Sequence, residues 1–357
     1  MTTAAHVGCA IALASLPGMG PGRLRALLEA HPPTEAWRRV RHGHEGACRQ
    51  RAADHLDPDG LAKAHAEAQV TVHVLDGPDY PPRLADDPEA PAVLFATGDL
   101  ALVRSPLVGI VGTRRCTRAG RDVARELARA VAAAGVGVVS GLAVGIDGAA
   151  HEGALEVEGA RPVGVVASGL DVVYPRRHER LWQRVAQAGV LLSEWPLGTR
   201  PDAWRFPARN RIIAALSDVL VVVESHAAGG SMHTVEAADR RGRTVLAVPG
   251  PVRSPASKGT NRLLFDGHGP ALDADDVLSA LGLATAGAGP PAPPRPVPTG
   301  VEATVLAAVD WEPTAVETIL VRTGLTPMSV ALALRRLEHA AWVRDDAGWW
   351  ERIERSS

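Results

Sequence analysis

LVGIVGTRRCTRAGRDVARELARAVAAAGVGVVSG, residues 107–141, reads as a strand, a tight turn, a helix and a second strand. LVGIVG (107–112) and VGVVSG (136–141) are continuous apolar runs, and GRDVARELARAVAAAG between them is a helical pattern. Such runs belong to strands covered on both faces, and helical crossovers join strands that lie parallel. The unit recurs in VGVVASG (163–169), VLLSE (190–194), VLVVVE (219–224) and VLAVPG (245–250), with helical stretches such as RHERLWQRVAQAG between them. The expected fold class is α/β, a doubly wound, Rossmann-like parallel sheet.

On either side of this centre the pattern changes. LASLPGMGPGRLRALLEAH (Leu13 to His31) sets a Gly-Pro-rich turn between two apolar helical patterns. That suits a helical hairpin, either one whose amides hold a nucleic-acid phosphate or one that only packs. PPAPPRPVP (290–298) is a stiff, extended linker. Beyond it come three helical patterns and WVRDDAGWWERI, a hairpin turning at Asp346-Ala347-Gly348, which together make a winged-helix pattern. The expected domains are a helical hairpin domain at 1–75 and a Rossmann-like domain at 76–282, with its motif core at 104–282. A Pro-rich linker at 283–299 and a winged helix at 300–357 follow.

Composition narrows the partners. At 46% hydrophobic and 22% charged the chain can bury a large core, while 4% aromatics argue against a broad stacking surface. Cys9, Cys48 and Cys116 are odd in number and without metal-ligand spacing, which fits reduced thiols in a cytoplasmic protein. No apolar run approaches the roughly 18 residues of a membrane span, so no membrane partner is expected. The formal net charge of −2 is unevenly spread: residues 101–270 hold 22 Lys+Arg against 15 Asp+Glu. A basic middle between acidic flanks points to a local anionic partner. The segment 300–357 carries 6 bases against 9 acids, which favours a protein-docking or regulatory module over a DNA reader.

Ligands of open α/β sheets bind at the carboxyl ends of the strands, and four unusual clusters fall there. GTRRCTRAG (112–120) follows the first strand and offers turn amides from Gly112 onward together with Arg114. It has neither the GxGxxG nor the GK[ST] spacing. SGLAVGIDGAAH (140–151) brings Ser140 and Gly141 close to the turn, and Asp147 and His151 share a helix face as a pair that would fix the loop. FPARNR puts Phe206, Arg209, Asn210 and Arg211 at a helix start, where carboxylates are normally favoured. HAAGGSMHTVEAA places Gly230 and Ser231 before another helix, as an anion cradle. These clusters supply donors and cations, with no nucleophile–base pair and no third metal ligand. A polyanion-binding site is expected, with no catalytic residue, metal or cofactor.

The motifs GIVGTRRCTRAG, VVSGLAVGIDGAAHEGAL, GLDVVYPRRHERLW, LLSEWPLGTRPDAWRFPARNRIIAALSDVLVVVE, GRTVLAVPGPV and KGTNRLL together resemble the DNA-processing protein A family, DprA or Smf, from about Tyr80 to Leu281. The resemblance implies a cytoplasmic homodimer that binds single-stranded DNA and hands it to the RecA recombinase in natural transformation. It places the DNA pocket on Gly112, Arg114, Ser140, Gly141, Phe206, Arg209, Asn210, Arg211, Gly230 and Ser231. Within that set, Arg114 and Arg209 are expected to meet phosphate, and Arg211 to brace the loop on Glu194 or Glu224. Met232 and His233 depart from the family's usual SGSLITA. Two rivals stand beside this reading. One is a LOG-type nucleotide phosphoribohydrolase or nucleotide-sensing Rossmann protein, because Gly229, Gly230 and Glu236 keep part of the PGGxGTxxE spacing. The other is a pure interaction protein.

Overall fold

A computed structural model describes residues 4–283 and 297–353. The chain divides into two compact units, Met1–Ala284 and Thr285–Ser357. The Pro-rich linker expected at 283–299 lies almost wholly outside the described residues.

The first unit is built on a nine-stranded sheet. Its strands are β1 (Thr71–Val74), β2 (Val93–Gly98), β3 (Leu107–Val111), β4 (Gly137–Ser140), β5 (Pro162–Val165), β6 (Val190–Ser193), β7 (Val219–Val222), β8 (Thr244–Ala247) and β9 (Gly269–Pro270). They lie in the order β1-β2-β6-β5-β4-β3-β7-β8-β9. From β6 across to β9 every pairing is parallel; β1 on β2 and β2 on β6 are antiparallel. The chain starts this parallel sheet in the middle at β3, steps outward through β4 and β5 to β6, then returns to lay β7 on the other side of β3. The order of the strands therefore reverses between β3 and β7, where a crevice must open at their carboxyl ends.

Alternation along each strand feeds the two faces. Val108 and Ile110 of β3 join Val219 and Val221 of β7 in one core, under the helices Arg118–Ala133, Ile146–Ala154 and Ala274–Ala280. Leu107 and Val111 join Leu220 and Val222 in the other, under Arg205–Leu216 and Met232–Asp239. Helix Arg118–Ala133 forms where Thr117 caps it, its hydroxyl accepting from the Gly120 amide at 2.9 Å. The buried residues Ala124, Leu127, Ala128 and Val131 supply its apolar stripe.

The helical segment expected at 1–75 packs onto the sheet. Helices Ala4–Ala14, Pro21–Ala30, Pro33–Arg41, Ala47–Ala53 and Pro58–Glu67 precede β1, and their apolar residues share a single core with Phe95, Leu142, Trp182 and Leu191 from the sheet and its helices. Ala4–Ala14 (AAHVGCAIALA) is apolar nearly all round, and Gly8 through Leu13 are buried.

Among its described residues the second unit has three helices, Gly300–Ala308, Val316–Thr323 and Pro327–His339, and a small sheet of β10 (Thr314–Ala315), β11 (Val343–Asp346) and β12 (Trp349–Arg352) in the order β10-β12-β11. β11 and β12 form the hairpin expected from the sequence, turning through Ala347 and Gly348 at positive φ. Val305, Ile319, Val330, Leu334 and Trp350 make its core. This is a winged helix.

Candidate functional site

At the β3/β7 reversal lies a cleft of about 830 Å³. β3 delivers Gly112, Thr113 and Arg114 to one wall, and the loop after β7 delivers His226, Gly229 and Gly230 to another. Thr113 ties the two together, its amide donating to the Glu224 carbonyl at 2.7 Å while its hydroxyl lies 3.2 Å from His226 Nδ1. Behind this wall the Glu224 carboxylate receives the Thr117 amide at 2.8 Å and the Thr117 hydroxyl at 2.7 Å. A Cβ on Gly120 would overlap that carboxylate, so the helix can start this close only with glycine there. Glu224 is thus committed to holding the turn and pairs with neither Arg209 nor Arg211.

The third wall is the start of helix Arg205–Leu216. Phe206 projects into the cleft, with the Arg114 guanidinium 4.4 Å from its ring centroid and the Tyr174 ring 5.6 Å away at 49°. A guanidinium over an aromatic face is favourable in its own right and leaves the edge N–H groups free to meet an anion. Asn210 lines the same space and donates through Nδ2 to the Gly230 carbonyl at 3.1 Å, which holds the glycine loop to the helix. Ser231 Oγ donates to Ser225 Oγ at 2.8 Å, so its hydroxyl is used within the loop.

Arg209 forms the floor. It is 3% exposed, donates Nη1 to the Val165 carbonyl, and passes beneath Gly141, where a Cβ would collide with its guanidinium. Burial lowers its pKa to about 10, with Asp147 opposing and Arg114 adding to the shift. It remains a cation at neutral pH. Asp147, also lining the cleft, has its carboxyl pushed up by burial, while the Arg209 and Arg114 charges pull it back. The low-polarity surroundings of Arg209 strengthen the field it presents to a ligand, and Arg114 adds an exposed cation at the mouth.

The structure brings Gly112, Arg114, Phe206, Arg209, Asn210, Gly230 and Ser231 to the cleft. Gly141 lines a smaller adjoining cavity with Arg114, Tyr174 and Phe206. Two expected residues face elsewhere. Ser140 is fully buried and donates to the Ile110 carbonyl at 2.6 Å, so it stitches β4 to β3. Arg211 turns away to Glu194, at 2.5 Å, with both side chains largely buried. It is the brace the sequence suggested. Asp147 and His151 were expected to pair, yet among the described residues no ion pair or hydrogen bond joins them, and the His151 ring is fully buried against the Ser140 backbone. Thr113, Tyr174 and His226 were missed. Tyr174 stands inside a quoted motif, but nothing in its spacing shows that the chain folds back beside Phe206.

Glu236 is 63% exposed and pairs with His233 at 3.7 Å rather than lining the cleft. Among the described residues no group of His, Cys, Asp and Glu could hold a metal ion, and no helix is long and apolar enough to cross a membrane.

The crevice, with its arginine–phenylalanine mouth, buried arginine floor and glycine loop, lies within a stretch that matches a known family. The family described as DNA recombination-mediator protein A covers residues 71–282. The chain belongs to the DprA/Smf family. The DprA winged helix domain matches residues 289–348. A DNA processing protein DprA of Mycobacterium tuberculosis is 38% identical, over 92% of this chain and 90% of its own. The crystal structure of Streptococcus pneumoniae DprA is 29% identical with a TM-score of 0.65, covering 78% of this chain and 98% of that one. The Helicobacter pylori DprA structure, described for its single-stranded DNA binding mode, is 30% identical with a TM-score of 0.54, over 60% and 95% of the two chains.

Proposed function

We propose that this DprA/Smf protein binds single-stranded DNA in the β3/β7 cleft and passes it to the RecA recombinase during natural transformation, without itself catalysing a reaction. The observation that carries this reading is the Arg114–Phe206 pair standing above the buried Arg209 cation. Together they offer a phosphate a cation and a base a ring face, without a base-reading hydrogen-bond pattern. The Helicobacter pylori relative's single-strand binding supports it. The same reading makes the chain a cytoplasmic homodimer. It gives residues 300–357 a protein-docking role, since their charge balance is acidic.

Anisotropy titrations with single- and double-stranded oligonucleotides at two salt concentrations test the proposal. Tighter, salt-sensitive binding of the single strand is expected. Preference for duplex, or release of free base from nucleoside monophosphates, would replace it with a duplex binder or a hydrolase.

A further inference from the structure

The first unit carries a second meeting of arginine and aromatic rings. Trp204 immediately precedes helix Arg205–Leu216 and is 47% exposed, whereas Trp195 beside it is buried. The two rings meet edge to face, with centroids 5.2 Å apart and planes at 89°. The Arg205 guanidinium lies 4.8 Å from the Trp195 centroid and 5.1 Å from that of Trp204, and donates through Nη1 to the Arg200 carbonyl. Trp204 Nε1 donates to Asp202 Oδ2 at 2.8 Å. The one polar group of the indole is therefore satisfied within the protein, and the surface it leaves exposed is ring.

A lone exposed tryptophan needs no explanation. This one is pinned by a neighbouring ring, a cation and a hydrogen bond, in a pose that keeps nearly half of it in water. Its position is the second observation. Pro201, Asp202 and Ala203 line the cleft, and Trp204 is the next residue along the same rim. The chemistry of the Arg114–Phe206 mouth is repeated there.

We propose that Trp204 is a second nucleobase platform, on which a base stacks as a single strand leaves the cleft over the Pro201–Ala203 rim. The inference rests on the cleft's being a single-strand site. Ring stacking suits any base, and Arg205 adds positive charge beside it for the flanking phosphate. Asp202, whose carboxylate accepts from Trp204 Nε1 and the Ala203 amide, keeps its negative charge and partly offsets Arg205, so ring stacking carries most of the platform's contribution.

Anisotropy with two thymidine oligonucleotides, of about 4 and about 16 nucleotides, spanning the site sizes of single-strand binding folds, tests the idea on the full-length protein. Trp204→Ala is expected to weaken the long strand about tenfold, about 1.4 kcal/mol, and to leave the short strand unchanged. Trp204→Leu, which keeps apolar bulk over Arg205 but has no π face, should show the same loss, and Trp204→Phe should recover most of it. Unaltered long-strand affinity in Trp204→Ala, or equal losses for both lengths, would overturn the platform while leaving the cleft assignment standing. A wild-type protein that binds neither length overturns both.

Discussion

Arg114 and Arg211 are chemically alike and differ in surroundings. Arg114 lies exposed over Phe206, so Arg114→Ala should flatten the slope of log K against log salt by about 0.7 for a single strand and barely move the melting temperature. Arg211→Ala strands Glu194, a buried carboxyl already pushed up by desolvation. Losing its partner should cost about 3–5 kcal/mol, read as a lower urea midpoint with an unchanged salt slope. Arg209 combines the two, since it lines the cleft yet is buried, so Arg209→Ala should lower both affinity and stability. His151 gives a pH test. Burial lowers its pKa from 6.5 to about 4. The unfolded chain therefore binds more protons between those values, and stability must fall as pH drops through that window. His151→Leu removes the titrating ring and should flatten that acid limb by at most about 1.4 kcal/mol per pH unit. A residual slope should remain, because burial also lowers the pKa of His65 and His73. The two cations and the amide of FPARNR were legible as an anomaly at a helix start. The division of labour between Arg209 and Arg211 was suggested too, but not the partners that enforce it, because the Val165 carbonyl under Arg209 and the choice of Glu194 over Glu224 for Arg211 come from residues distant in sequence.

Single elements of the sheet differ in how they announce themselves. The parallel strands are apolar on both faces and separated by helical patterns, so their sequence carries a strong signal. β1 and β2 do not: they pair antiparallel, with no crossover helix between them, and β1 is only partly buried. β9 is two residues long. The helix Arg118–Ala133 hides another fact. A glycine in a helix ordinarily costs about 1 kcal/mol relative to alanine, which would make Gly120→Ala a stabilising change. The Glu224 carboxylate occupies the space a methyl would need, so the substitution should instead destabilise by about 1–3 kcal/mol and loosen the Thr113–Arg114 turn. Thermal melting checks the sign, and a raised melting temperature would show that Glu224 can move aside. The sequence showed the glycine but not the acid, which lies at the end of a strand more than a hundred residues later.

Over the whole chain, the two compact units predict that residues 1–283 fold without the winged helix and keep most of their single-strand affinity. A truncated protein that melts cooperatively but no longer binds DNA would instead make the second unit part of the binding surface. The first unit has no equivalent cut at its other end, and this bears on how the chain is made. The helix Ala4–Ala14 leaves the ribosome well before Phe95, Leu142 and Leu191, with which it shares a core. At about 5–20 residues per second, an apolar helix waits roughly ten to forty seconds for its last partners to be synthesised. Nascent chains stalled near residue 160 should therefore expose it, binding a hydrophobic dye or a chaperone, and chains released beyond 285 should not. The protein's greatest exposure to aggregation would then come during synthesis rather than after it, in the helix Ala4–Ala14 rather than at the β3/β7 cleft.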